Sequence, residues 1–551
     1  MPTTNLGASN LVVPGAYVNV QNPQQGVAPY VNTTVNAFVG TANYGPVGVP
    51  VVIGSAAQIF AAFGDDTIGA STFNSTNYNF SLVQEMLMSL VEDGNMIGVR
   101  ATNGADTAAT IVLPDAVPAT VLTLTFQSTG SLPNGPGAGT AAPGDNVAGA
   151  RIDLVSGTSS VSPVLRVTIF PPRNARPEVF NNIIGYSSPG GAYSATVFKA
   201  NALAAINGTA PNSIASQWVV ASAGSSSAIP VLATVASASG GADGSSTVSP
   251  AELLGSADTL TGMNALAGTP FFQLVICGLD DNFVSVPTIS SFVAAQNAAL
   301  GFTTVPKGTT DAAAFTDRLT VGAVDTNMVC CKDFIYVFDT VQGYNRYVSP
   351  MGKAAGIIGG LPAYQSPINQ PYNTTGASAS SVEGTEQSIL GPRSQDALAA
   401  LTTNGICSIT NQMPLNNGAF GFFNDVTMAG SGNPNNYIPV IRMTAFLSQA
   451  LQQIGGPFVG QNQSIQPNDP TRAAIKAAFD NFLDGLIPNG GQPQIDEFNT
   501  TCDLTNNTPS SIAQGICNVQ VLVRYLGVIR ILYITLQGGT GVTVSQTPPQ
   551  L

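Results

Sequence analysis

Few residues in this 551-residue chain are equipped for chemistry, and they are scattered. Histidine is absent. That removes the Ser-His-Asp and Cys-His nucleophile arrangements, the commonest general base and the imidazole metal ligand. The six cysteines are Cys277, Cys330, Cys331, Cys407, Cys502 and Cys517; none form a C-x-x-C pair, and no histidine completes a zinc set. Free core thiols are therefore expected. The adjacent carboxylates Asp65-Asp66 and Asp280-Asp281 lack the spacing of a calcium loop. Gly352-Lys353 is followed by Ala354 instead of Ser or Thr, so a nucleotide phosphate loop is incomplete. The stretch Gly135-Pro136-Gly137-Ala138-Gly139 lies in a Pro/Ala/Gly loop and reads as a linker. Carboxylate-only catalysis of the glycosidase kind is formally open, but nothing in the sequence points to it. The expectation is a protein that is not an enzyme and takes no cofactor or metal.

Composition points toward assembly. Hydrophobic residues make up 44% and charged residues 9%, the latter against about 25% in ordinary soluble domains. So few charges leave little to hold copies apart; a compositional bias of habitat would give the same numbers. The net charge is −13, and no Lys or Arg precedes Arg100. Such a chain is a poor match for nucleic acid, whose phosphates call for Lys and Arg. Mean hydropathy is +0.22. Yet apolar runs such as Phe271 to Leu279 and Ala354 to Tyr364 reach about half of the ~20 residues a membrane span needs, and Arg530 interrupts the apolar segment near the C-terminus. The opening MPTTNLGASN has neither a basic nor an apolar leader region, which predicts folding in the cytosol.

The elements that must carry these residues read as several domains. Residues 1–26 form an N-terminal arm with one strand, in which Ala16, Val18 and Val20 share a face and Tyr17 and Asn19 the other. Pro14-Gly15 precedes it and the run from Gln21 to Gly26 ends it. No hairpin mate adjoins, so the strand pairs far away in its own chain or on a neighbour's sheet edge. Residues 27–110 read as an α/β unit. Its strands are Ala37 to Gly40, Val51 to Ile53 and Met96 to Ala101; its helix runs from Ser81 to Asp93, capped by Ser81 and Gln84 and stopped by Gly94. Residues 111–250 turn rich in Ala, Ser, Gly and Thr around runs such as Val121 to Phe126 and Leu165 to Phe170. This predicts an inserted β-rich outer domain, with a decorated core sheet as the alternative.

Residues 251–400 return to α/β, with Phe272 to Cys277 and Phe334 to Phe338 expected in a parallel sheet. Residues 401–525 read as an α+β domain with helices from Val440 to Ile454 and from Pro470 to Asp484, the second capped by Asp469. Ile475, Phe479, Phe482, Leu483 and Leu486 mark its core face, while Arg472 and Lys476 lie one turn apart on another. A strand from Cys517 to Tyr525 follows. Residues 526–551 supply a last strand, Val528 to Leu536, and a Gly/Thr/Pro-rich tail.

Taken in order, these motifs resemble the contractile phage tail sheath family. Pro14-Gly15-Ala16-Tyr17-Val18 is similar to its Pro-Gly-x-Tyr-Val opening. Ala37 to Gly40, Gly45-Pro46, Pro50 and Phe63-Gly64 are similar to its first domain, and Gly240 to Gly244 to its Gly-Gly-x-x-Gly turn. Ser349 to Gly356 resembles its Pro-x-Gly-x-x-Ala-Gly segment, and Phe498 to Asp503 with Asn506-Asn507-Thr508 and Gly515 gives the fullest match. The low charge and missing histidine depart from the pattern. The resemblance implies a subtilisin-like α/β middle region, here without a catalytic triad, and extended terminal arms. It implies a structural subunit that stacks as six-fold rings in a helix around an inner tail tube protein, between baseplate and tail terminator proteins. Contraction would then drive the tube through the target envelope. It further implies strand exchange between neighbours through Ala16, Tyr17, Val18, Asn19 and Val20 and through Ile529, Ile531, Tyr533 and Leu536, although the C-terminal strand could pair within its own domain. Arg472 and Lys476 are the candidate tube contacts, a solvated helix face being the alternative. The setting implied is a virion tail assembled in the host cytoplasm. A tailocin or secretion system has the same chemistry, and a surface-layer or adhesive protein is the alternative from another class.

Overall fold

The computed structural model describes residues 31–64, 82–90, 95–134, 147–172, 175–211, 213–245, 248–321, 326–339, 344–370, 381–382, 393–411, 420–487, 493–534 and 536. The expected N-terminal strand at Ala16 to Val20, the cap Ser81, the stop Gly94, the pair Asp65-Asp66 and the glycine-rich stretch at 135–139 lie outside the described residues.

The chain divides into two compact units, residues 1–363 with 367–456, and residues 364–366 with 457–551. The first is built on a seven-stranded sheet. Its strands run in the spatial order Ile406–Cys407, Met328–Cys331, Leu300–Thr303, Gln273–Ile276, Asn36–Gly40, Met96–Arg100 and Val51–Ile53. Every pairing is parallel except that of the edge strand Val51–Ile53. Parallel strands need helices on both faces, and this sheet has them. Phe38 looks into a cluster with Met86, Met351, Ala355 and Ile438. Its neighbours Ala37 and Val39 look the other way, toward Ile289, Val293, Ala314 and Leu401. The alternation along one wholly buried strand follows from the period of two.

On the first face the helices Leu82–Leu90 and Met351–Gly360 lie close together. A Cβ at Gly352 would come 2.4 Å from the Glu85 carbonyl oxygen, and one at Gly356 2.7 Å from that of Ser89. Glycines one turn apart thus let two helix backbones meet.

A second, wholly antiparallel seven-stranded sheet covers residues 108–239. Its order is Glu178–Ile184, Val164–Phe170, Gly149–Leu154, Val235–Ser239, Ala108–Pro114, Thr120–Thr129 and Val219–Ala223. The helix Ala195–Ile206 packs Phe198, Ala202 and Ile206 onto its core. The chain enters and leaves this sheet side by side, since Thr107 and Ala242 exchange backbone hydrogen bonds of 3.0 and 3.1 Å. Arg100, buried, ties the junction: its guanidinium donates to the carbonyls of Gly45 (2.6 Å), Thr129 (2.7 Å) and Asp243 (2.7 Å).

Three expectations change. Phe334 to Phe338 is not in the parallel sheet: Ile335–Asp339 lies between Tyr344–Val348 and Ser381–Val382, antiparallel to both. A short connection to Tyr344 returns the chain as a hairpin, and parallel pairing needs a longer crossover. Residues 401–456 go with the first unit, because Ile406–Cys407 extends the parallel sheet and Ile438 of the helix Ile438–Gly455 enters its core. The second unit therefore begins at 457. Finally, residues 526–534 form no strand in the single chain.

Candidate assembly site

The second unit starts from a helix, Pro470–Asp484, whose first turn is fixed by its cap. Asp469 accepts hydrogen bonds from the backbone N–H of Arg472 (2.8 Å) and of Ser464 (2.7 Å). Burial pushes the Asp469 carboxyl up, but these two N–H groups and the Arg472 charge outweigh it and hold the carboxyl below its usual range. Ile475, Phe479, Leu483 and Leu486 are buried along one stripe, together with Ile495 of the next strand.

That strand, Ile495–Thr501, pairs antiparallel with Gln520–Tyr525, from Ile495 opposite Tyr525 to Thr501 opposite Gln520. Residues alternate: Val521, Val523 and Tyr525 are partly covered, while Gln520, Leu522 and Arg524 face solvent. On the exposed side Arg524 bridges Asp496 (2.5 Å) and Glu497 (2.7 Å). Among the described residues these two strands pair only with each other. A two-stranded sheet is marginal in water and has two edges of unpaired N–H and C=O groups.

The segment directly after it carries the densest run of exposed large apolar side chains among the described residues. Ile529 is 79% exposed, Ile531 87%, Leu532 75%, Tyr533 88%, Ile534 75% and Leu536 88%. Among the described residues of the expected strand from Val528 to Leu536 no strand is formed. Leu532 and Ile534 are not among the candidates named from the sequence, although they are nearly as exposed as the residues that are. The signal was available: odd and even positions are both apolar from 531 to 534, the pattern of a strand covered on both faces. Contiguous exposed apolar side chains of this kind mark an interaction surface.

No protein-family model and no curated protein matches the sequence. Among solved structures, a sheath tail protein from Desulfitobacterium hafniense aligns over 93% of this chain and 100% of its own, with a TM-score of 0.55 and 13% sequence identity. This chain has the sheath tail protein fold. A sheath tail protein from Listeria innocua gives 0.53 over 89% of this chain and 94% of its own, at 12% identity.

Within this sheath fold the two cations singled out from sequence separate. Arg472 is buried, and its guanidinium donates to the carbonyls of Ser464 and Gln466. It sits in the first helical turn, where the chain has just curled back, so its charge is used internally and not on the open face expected for it. Lys476 keeps 44% of its side chain exposed while pairing with Asp480 at 2.6 Å.

Beyond the carboxyl ends of the parallel strands, where folds of this layout usually place ligands, lies a buried ion network. Lys332 contacts Asp311 (2.7 Å), and Arg393 donates to Asp333 (2.6 Å) and Asp311 (3.3 Å). Burial raises the Asp333 carboxyl, but Lys332 and Arg393 overcome it and hold the group below its usual range. These charges neutralise one another. Among the described residues no group of three His, Cys, Asp or Glu side chains is placed to hold a metal, and no helix is long and apolar enough to cross a membrane.

Proposed function

We infer that this chain is the structural subunit of a contractile tail sheath, polymerising helically around an inner tube and contracting to drive it through a target envelope. The observation that carries the reading is the run of exposed apolar side chains at Ile529, Ile531, Leu532, Tyr533, Ile534 and Leu536, directly after a two-stranded sheet, in a chain with the sheath fold. An open sheet edge and an exposed apolar segment can complete each other between copies by strand addition. Ile529, Ile531, Tyr533 and Leu536 would enter a neighbour's sheet, and Ala16 to Val20 would do the same from the other end. Copies tethered this way can slide between two packings without parting, which is what contraction requires.

The finer reading adds stacked six-fold rings, an inner tube protein within, and baseplate and terminator proteins at the ends. It places the subunit in a virion or in a related injection device, with a subtilisin-like middle region. Lys476 is the remaining candidate for a tube contact. Charge reversal at Lys476 is expected to weaken co-assembly with the tube protein; unchanged co-assembly removes it from that interface.

The test is negative-stain electron microscopy of the full chain and of chains lacking residues 1–26 or 526–551. Hollow striated cylinders from the full chain, lost on either truncation, support the reading. Cylinders that survive both truncations remove strand exchange from the mechanism. Monodisperse particles from the full chain at every salt concentration overturn the sheath reading.

A further inference from the structure

The six cysteines fall into two environments. Cys277, Cys330, Cys331 and Cys407 are buried in the first unit, and desolvation pushes the Cys330 thiol up to about 12. Cys502 and Cys517 are placed differently. Cys502 is buried, Cys517 is exposed, and their sulfurs lie 3.9 Å apart. They flank the same end of the two-stranded sheet, where Thr501 pairs with Gln520.

The backbone around both is held without help from the sulfurs. Asn506 Nδ2 donates to the carbonyls of Thr501 (2.8 Å) and Asn518 (3.0 Å). Asn507 Nδ2 donates to the Asn518 carbonyl at 2.9 Å, and Asn518 N–H donates back to Asn507 Oδ1 at 2.6 Å. The residues before Cys502 and after Cys517 are therefore pinned to one another. A disulfide has its sulfurs about 2.0 Å apart, so about 2 Å must still be closed. Cys517, the exposed one of the two, is the side chain with room to make that approach.

We propose that Cys502 and Cys517 form a redox-responsive modification site that closes to an intrachain disulfide on meeting a low-molecular-weight disulfide such as oxidised glutathione. The exposed Cys517 gives up its proton and its sulfur attacks one sulfur of the small disulfide. A mixed disulfide forms and the other half leaves as a thiolate. Cys502 then gives up its proton and attacks the Cys517 sulfur, expelling the second half. Two protein thiols lose two protons and two electrons, and the small disulfide becomes two thiols. Burial holds the Cys502 thiol up at about 12, which assigns the first attack to Cys517 and the resolving step to Cys502. The product staples the segment between the two strands at the end nearest their last backbone pair.

The full chain is equilibrated in excess oxidised or excess reduced glutathione, trapped by alkylation in denaturant, and its peptides are weighed. In excess oxidised glutathione the expected product links the Cys502 and Cys517 peptides and is two hydrogens lighter; reduced glutathione reverses it. Cys517→Ser is expected to leave Cys502 alkylatable, and Cys502→Ala to leave glutathione parked on Cys517. The proposal is overturned if, in the wild-type chain under oxidising excess, both thiols still alkylate, if glutathione stays on Cys517 unresolved, or if the link joins two chains.

Discussion

Glu85 should make the stability of this protein fall as pH rises toward neutrality. The side chain is fully buried in the helix Leu82–Leu90, and its Oε2 accepts a 2.6 Å hydrogen bond from the Gly352 N–H. Burial pushes the carboxyl from 4.5 up to about 7, against hydrogen bonds from Ser349 and Gly352 that pull it down. The folded-state value lies above the unfolded one, so the folded protein binds the proton more tightly. The stability this contributes is complete below about pH 4.5 and is lost as pH rises through about 7. The gap is roughly 2.5 pH units, which at 1.36 kcal/mol per unit comes to about 3 kcal/mol. Glu85→Gln keeps an oxygen for the Gly352 N–H and carries no charge at any pH. Urea midpoints of wild type and variant should coincide near pH 4.5, diverge up to about pH 7, and then hold a constant gap in favour of the variant. A difference that does not change with pH, or one favouring wild type above pH 7, refutes the reasoning.

Other substitutions test other joints, each read from urea midpoints at fixed pH. Arg100→Met leaves the carbonyls of Gly45, Thr129 and Asp243 without their donor and should cost about 3 kcal/mol. Limited proteolysis should then cut first at the junction with the antiparallel sheet. Arg393→Met leaves Asp333 and Asp311 facing Lys332 alone; breaking a buried ion network this way should cost about 3–5 kcal/mol. Gly352→Ala drives a methyl group to 2.4 Å from the Glu85 carbonyl oxygen and should lose about 1–3 kcal/mol through helix displacement. Asp469→Ala removes the cap on the helix Pro470–Asp484 and should cost about 1 kcal/mol.

What the sequence reveals ends where a partner has to be chosen. Asp469-Pro470 announces a helix start by its own chemistry, and the helix begins there. Phe272 to Cys277 is apolar at every position but Gln273, close to the mark of a strand covered on both faces, and Gln273–Ile276 is a wholly buried strand. That Asn36–Gly40 lies between Gln273–Ile276 and Met96–Arg100 is not written in any local period. Nor is the meeting of Gly352 with Glu85, which depends on two helices far apart in the chain. Arg472 and Lys476 share a helical spacing, but spacing fixes direction only to within a turn. The loop at Ser464 and Gln466 decides that one is buried and the other is not. Val528 to Leu536 has the composition of a strand, and composition cannot provide the ladder that makes one.

The doorway between Thr107 and Ala242 has a consequence for how this surface can diversify. The two ends meet in one hydrogen-bonded pair that closes the segment between them, and Arg100 on the Thr129 carbonyl and the Tyr44–Gly130 bridge tie it further to the flanking residues. The entropy of closing such a loop grows only with the logarithm of its length. A lineage could exchange the antiparallel sheet for another module, or for a tight turn, provided the replacement gives the Arg100 guanidinium an acceptor where the Thr129 carbonyl now stands. The same doorway is a natural graft point for an engineered cargo domain, provided the foreign module also brings its first and last residues together.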